Sequence, residues 1–211
     1  MRGIFITFEG CDGSGKSTQI KWVSEALKKR GVDVLTTREP GGTPFGEMVR
    51  SLLLDPNGPE RTPLAEMLMY SAARAEIVAR VIAPALLEGK VVLSERFFDS
   101  TTVYQGYAGG IPIPDIETIN RISTVGLTPD LTFVLDLKDP QVFHARLGPK
   151  KKDKIESRDE EYHRRVREGY RDLARRYPER IRVVDASLTE DEVFGAVMSV
   201  ILEFIDKAQE R

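Results

Sequence analysis

Nine residues near the start of the chain combine glycines, a lysine and hydroxyls at fixed spacing: Gly10, Cys11, Asp12, Gly13, Ser14, Gly15, Lys16, Ser17 and Thr18. Gly10 to Ser17 fit the pattern G-x-x-x-x-G-K-[ST]. An apolar run, Ile4-Phe5-Ile6-Thr7-Phe8, precedes them and a helix-like stretch over 17–29 follows, the strand–loop–helix context that gives the pattern meaning. Glycines let successive backbone N–H groups turn toward anionic oxygens. The positive end of the following helix adds to the attraction. Lys16 can reach the outer phosphates of a nucleoside triphosphate, and the Ser17 hydroxyl can hold Mg²⁺. Triphosphate binding is the expected chemistry, and the open question is what receives the phosphate.

Three further charged residues close apolar runs: Arg38, Glu95 and Arg96. Two phosphorylated substrates repel each other, so an enzyme joining them needs positive charge on both sides. Lys16 and Mg²⁺ serve the donor. Arg38 and Arg96 suit an acceptor phosphate, because a planar guanidinium binds phosphate through paired hydrogen bonds. Glu95 ends its run where a Mg²⁺-linked carboxylate belongs. Catalysis would be positioning and charge stabilisation, since the attacking oxygen already belongs to an ionised phosphate.

These groups need elements that bring them together. Five segments, 3–9, 33–38, 90–95, 131–137 and 180–185, are expected as strands. Val91-Val92-Leu93 and Leu131-Thr132-Phe133-Val134-Leu135 are near-continuous apolar runs, as in strands covered on both faces. Helices are expected over 17–29, 45–54, 64–87, 115–124, 140–147, 160–176 and 189–208, with Pro84 ending or kinking the third. The alternation predicts an α/β P-loop fold, a five-stranded parallel sheet with helices on both faces. Its ligands should lie beyond the carboxyl ends of the strands. Lys16, Asp12, Arg38, Glu95 and Arg96 would then share one rim, while Asp136 and Asp185 read as solvated turn residues.

The chain has 211 residues, 41% apolar and 30% charged, with a net charge of −2. It should bury roughly 70% of its unfolded surface, and one domain over 1–211 is expected. The charge balance gives no reason to expect nucleic acid or an anionic membrane as partner. Lys150, Lys151, Lys152 and Lys154 form the single basic cluster, best taken as a solvated loop. One cysteine excludes an internal disulfide, and His144 and His163 stand in no metal-ligand pattern. No signal-peptide layout or membrane-spanning stretch is present, so the default location is cytoplasmic.

Leu93-Ser94-Glu95-Arg96-Phe97-Phe98-Asp99-Ser100-Thr101-Thr102-Val103-Tyr104-Gln105 resembles the signature segment of thymidylate kinases. Arg38-Glu39-Pro40-Gly41-Gly42-Thr43, Met69-Tyr70-Ser71-Ala72-Ala73-Arg74, Pro129-Asp130-Leu131-Thr132-Phe133 and Arg165-Val166-Arg167-Glu168-Gly169-Tyr170 match other landmarks of the bacterial members. The resemblance spans nearly the whole chain. It implies transfer of the γ-phosphoryl of ATP to dTMP with Mg²⁺, in a homodimer with a mobile lid at about 148–157. Arg38 and Arg96 would hold the dTMP phosphate, with Lys16 and Asp12 also in the catalytic set. Tyr70 would stack on thymine, although from the sequence alone a core aromatic on the apolar face of 64–87 is favoured. Arg74 would hydrogen-bond the base, and Ser100, Thr101, Tyr104 and Gln105 would line base and sugar, Tyr104 crowding the 2′ position. Asp12 would approach the 3′-hydroxyl or a Mg²⁺-bound water. Ser17 and Glu95 would hold the metal. The family's Glu39–Pro40 bond is cis.

The chain departs from the family in two places. The family usually has Asp at the position of Glu95, whose carboxylate reaches one methylene further. Members with glycine at position 13 usually carry a catalytic lid arginine, yet residues 148–157 hold lysines and no arginine. Arg146 and Arg158, flanking that stretch, could supply the guanidinium. Cys11 reads as a tolerated small residue, with inward-pointing N–H groups able to lower its pKa. The alternatives are another nucleoside monophosphate kinase or, less favoured, a P-loop nucleotide-sensing module. A GTPase is disfavoured because the chain lacks an N-K-x-D segment and Asp55-Pro56-Asn57-Gly58 reads as a plain turn.

Overall fold

A computed structural model describes residues 3–137, 154, 155 and 158–209. Five parallel strands, β1 (Ile4–Glu9), β2 (Val34–Arg38), β3 (Val91–Glu95), β4 (Leu131–Asp136) and β5 (Ile181–Asp185), form one sheet in the order β2-β3-β1-β4-β5. All five expected strands are present. The register pairs Arg38 with Glu95 and Phe8 with Glu95, so the charged carboxyl ends meet at one edge of the sheet.

Side chains alternate across a strand, and the core divides accordingly. Ile6, Phe8, Leu93, Phe133 and Leu135 face α1 (Lys16–Lys29) and α8 (Glu190–Gln209), whose Val23, Leu27, Val197 and Ile201 are fully buried. Phe5, Val92 and Val134 face the other layer. That layer holds α2 (Pro44–Leu54), α3 (Pro63–Ile77), α4 (Ala83–Leu87), α5 (Phe98–Thr101), α6 (Ile113–Ser123) and α7 (Glu160–Arg176). Glu9, in phase with Phe5, points into it. No described helix is long and apolar enough to cross a membrane.

Two helices differ from expectation for identifiable reasons. The helix expected over 64–87 is interrupted by wide π-helical turns at Val78–Ile82. Pro84 has no N–H to return to the preceding turn, and the Ala83 N–H instead reaches back five residues to the Val78 carbonyl. Residues 98–108 belong to none of the expected helices or strands. They form α5 followed by π-helical turns at Thr102–Ala108. Thr101, Thr102, Val103 and Gly106 are weak helix formers. Burial of Thr101 through Gly106 against neighbouring elements overrides that preference. The helix expected over 140–147 lies outside the described residues.

A buried ion pair fastens this second layer to the sheet. Asp99 on α5 accepts from Arg180 Nη1 at 2.6 Å and Nη2 at 3.0 Å, and both side chains are almost wholly buried. Arg180→Leu should cost about 3–5 kcal/mol, because Asp99 is left buried and unpaired, whereas Asp99→Leu with Arg180→Leu should recover most of it. Urea unfolding of the two variants checks this, and a double variant no more stable than the single would contradict it.

Candidate active site

The loop between β1 and α1 is shaped by glycines that no other residue can replace without strain. Gly10 has φ +126° and a Cβ there would lie 2.5 Å from the Leu135 carbonyl oxygen. Gly15, at φ +90°, caps α1. Lys16 is buried, and its ammonium donates to the Gly10 and Cys11 carbonyls at 3.2 and 3.0 Å. Burial and the nearby Arg96 lower its pKa, opposed by Asp12. The Ser14 hydroxyl is buried inside the loop and has no hydrogen-bond partner among the described residues. Cys11 lies in one buried apolar cluster with Tyr162 and Val166 of α7, and burial pushes its thiol up to about 11. The lowered pKa considered for Cys11 is therefore not what the loop produces: desolvation outweighs the adjacent positive groups.

Arg96 turns the chain out of β3 in the left-handed region, φ +67°. A non-glycine residue there is held by its surroundings. The Arg96 N–H donates to the Phe8 carbonyl at 2.9 Å, and the Phe97 N–H donates to Glu9 Oε1 at 2.7 Å. The Arg96 guanidinium donates to Asp12 at 2.7 Å and to the Ser100 hydroxyl at 3.0 Å, and lies 5.0 Å over the Tyr104 ring. Burial works against the Asp12 charge, yet Arg96 and Lys16 hold its pKa at about 2.

Arg38 is half-exposed and rests on Glu47 of α2 at 3.1 Å. Glu47 also accepts the Gly42 N–H, fixing the 39–43 turn, in which Glu39–Pro40 is cis. Arg74 is 1% exposed and fully engaged: Nε donates to Glu39 at 2.8 Å, Nη1 to Asn120 at 3.2 Å and Nη2 to Thr101 at 2.9 Å. Burial raises the pKa of Glu39 against the pull of Arg74. One cleft is lined by Asp12, Ser17, Arg38, Tyr70, Arg74, Glu95, Arg96, Ser100, Thr101, Tyr104 and Gln105. Tyr70 lines the cleft and packs on Val49 and Leu53 of α2, half-buried rather than enclosed in the core.

Ser17 Oγ donates to Glu95 Oε2 at 2.7 Å. A hydroxyl and a carboxylate side by side beneath a phosphate loop are the hard oxygen donors that Mg²⁺ prefers, so the residues fit the ion.

Arg158 does not line this cleft. It donates to buried Glu66 of α3 at 3.2 Å and lies 5.1 Å over the Tyr162 ring. Lys154 donates to the Gly58 and Pro59 carbonyls at 2.9 and 2.7 Å. Arg146 and most of 148–157 lie outside the described residues. Asp136 is not the solvated turn residue expected: it is 7% exposed and accepts from Arg171 of α7 at 2.9 Å.

A family model described as thymidylate kinase matches residues 8–197. The chain belongs to the thymidylate kinase family. It is 48% identical to a thymidylate kinase of Symbiobacterium thermophilum, over 97% of this chain and 95% of the relative. The corresponding figures are 49%, 98% and 96% for that of Pelotomaculum thermopropionicum. A crystal structure of thymidylate kinase from Ehrlichia chaffeensis superposes with a TM-score of 0.77 at 36% identity, covering 96% of this chain and 99% of that one.

Residues that sequence reasoning missed are Glu9, Glu47 and Arg50. Arg50 lines the cleft and donates to the Pro40 carbonyl at 3.0 Å. Glu9 gave one signal, an acidic residue closing an apolar strand directly before the loop. It is fully buried and accepts from the Phe97 N–H, from Ser100 Oγ at 2.6 Å and from Tyr170 Oη of α7 at 3.0 Å. Burial and Asp99 push its pKa up to about 7, with Arg96 opposing. Between about pH 4.5 and 7 the folded state therefore binds a proton that the unfolded state has released, and this group's contribution to stability falls as pH rises. In Glu9→Gln that part of the pH dependence should vanish. Urea unfolding of both proteins across this window checks it, and parallel curves would contradict it.

Proposed function

We propose the following division of labour among the cleft residues of this dTMP kinase. The chain transfers the γ-phosphoryl of ATP to dTMP, giving ADP and dTDP and so feeding dTTP synthesis. Backbone N–H groups from Gly10 to Thr18 cradle the ATP phosphates, and Lys16 exchanges its loop carbonyls for phosphate oxygens. Arg38 leaves Glu47 for the dTMP phosphate, a cheap exchange because exposed ion pairs are worth only ~1 kcal/mol or less. Arg96, braced by Asp12 and Ser100, holds the same phosphate from the other side. Tyr70 stacks on thymine, with Arg74, Thr101 and Gln105 around the base. Tyr104 closes the 2′ side, and Asp12 faces the sugar. Ser17 and Glu95 hold Mg²⁺, which neutralises charge on the donor phosphates.

A dTMP phosphate oxygen attacks the γ-phosphorus as the bond to the bridging oxygen breaks, and the electron pair leaves on ADP. ATP with dTMP and ADP with dTDP carry the same total charge, so no base is required. The observation that best supports this is that two guanidinium groups, Arg38 and Arg96, line one cleft together with Asp12 and Ser17 of the phosphate loop and an aromatic wall, Arg96 being in contact with Asp12. In assays with dTMP, dUMP, dGMP, AMP and CMP, dTMP should give the highest kcat/KM; preference for a purine acceptor would sink the assignment. Lys16→Ala should lose at least ~100-fold in kcat, and chelating Mg²⁺ should stop turnover. Arg38→Ala should raise the dTMP KM roughly 10–100-fold with the ATP KM little changed. Unaltered dTMP kinetics would remove Arg38 from the site.

The chain works as one kinase domain over 1–211, with 148–157 as its lid, in the cytoplasm, where a free thiol such as Cys11 stays reduced. It pairs as a homodimer. Phe45, Met48 and Leu52 of α2 and Leu64 and Leu68 of α3 are apolar and about half-exposed or more, on two helices packed side by side. Such a patch calls for a cover. Leu52→Glu should shift the protein from dimer to monomer in sedimentation velocity, and a monomeric wild type at micromolar concentration would refute the pairing.

A further inference from the structure

Helix α7 carries six arginines, and five of them are paired with a carboxylate. Arg164 and Arg165 bind Glu161, Arg175 and Arg176 bind Asp172, and Arg171 binds Asp136. Arg167 is the exception. It is half-buried, and among the described residues it makes neither an ion pair nor a hydrogen bond. Its position follows from the anchors around it. Tyr162 Oη donates to the Tyr104 carbonyl at 3.0 Å, Tyr170 Oη donates to Glu9, and Arg171 grips the end of β4 next to the phosphate loop. His163, Arg167 and Arg171 follow one another at every fourth position, along one flank of the helix. His163 and Arg167 lie close enough to the loop for their charges to act on Asp12 and on Cys11, respectively.

The loop itself offers no side-chain charge at Gly13, and the two described cations near the lid are occupied, Arg158 by Glu66 and Lys154 by two carbonyls. We propose that Arg167 is the guanidinium that meets the β,γ-bridging oxygen of ATP during transfer, reaching the phosphate loop from α7 rather than from within the loop or from residues 148–157. As the new bond to the dTMP oxygen forms and the bridging bond breaks, negative charge grows on that oxygen as the pair moves to ADP. A fixed guanidinium there stabilises the transition state more than bound ATP. An unpaired arginine suits this task, because no protein carboxylate has to be displaced first. Arg167 takes this role only if the chain is the dTMP kinase proposed above.

Arg167→Ala should lower kcat roughly 100–1,000-fold, with the KM for ATP and for dTMP each within about threefold of wild type. Arg167→Lys keeps the charge and the stem but not the planar fork, and should still lose about tenfold or more. Arg165→Ala, on the solvent side of the same helix, should be neutral. The two Arg167 variants should also lose the tight complex that the wild type forms with ADP, dTMP and fluoroaluminate, a mimic of the phosphoryl in flight, while binding ADP alone unchanged. Both readouts separate Arg167 from a merely structural residue, whose loss would lower melting temperature and ADP binding together. A kcat within threefold of wild type in Arg167→Ala, or a loss confined to the ATP KM, overturns the assignment. A wild-type protein unable to phosphorylate dTMP would instead overturn the function beneath it.

Discussion

One buried carboxylate organises the catalytic edge of this protein. Glu9 ends the central strand with its side chain wholly out of water. A carboxyl group in that position has to be satisfied by protein donors or it destabilises the fold. The donors come from three different elements: the backbone after β3, Ser100 of α5 and Tyr170 of α7. Satisfying one group thus fixes the turn at Arg96, the start of the segment lining the cleft, and the height of α7 above the sheet. The left-handed backbone of Arg96 is a consequence of this arrangement, and it directs the guanidinium onto Asp12 in the neighbouring loop.

The cations in and around the cleft differ in how firmly they are held, and the difference follows from burial. Arg74 with Glu39 and Arg180 with Asp99 are desolvated pairs with several hydrogen bonds each. Such groups are expensive to unpair and behave as rigid scaffolding. Arg38 with Glu47 is half-exposed on both sides, so water can replace either partner at little cost. Lys16 lies between these extremes, buried but resting on carbonyls that a phosphate can outbid. The cleft therefore combines a fixed floor with cations free to follow a ligand.

Helix α7 extends the same logic. Its tyrosines are spent on anchoring, and most of its arginines on pairing with carboxylates. Gly169 lets it approach the π-helical segment closely, since a Cβ there would lie 3.0 Å from Tyr107. The helix is thus held against β1, β4 and the π-helical segment at several points along its length.

The sequence by itself determined the strand order along the chain, the phosphate loop and the family. Each of these is written in local pattern: apolar runs of strand length, glycines at fixed spacing, a contiguous signature from Leu93 to Gln105. It also foresaw the shared rim, because parallel strands must end on one side. Only the tertiary structure decided which charges are satisfied and by what. Glu9, Asp136 and Glu66 look alike as isolated acidic residues, but burial opposite Tyr170, Arg171 and Arg158 gives each a fixed partner. The helical state of 98–108 was equally hidden, because packing against α7 outweighs the local preferences of Thr101, Thr102, Val103 and Gly106. Local pattern reports backbone geometry. Desolvation and pairing depend on residues as far apart as Glu9 and Tyr170, which meet only when the chain has folded.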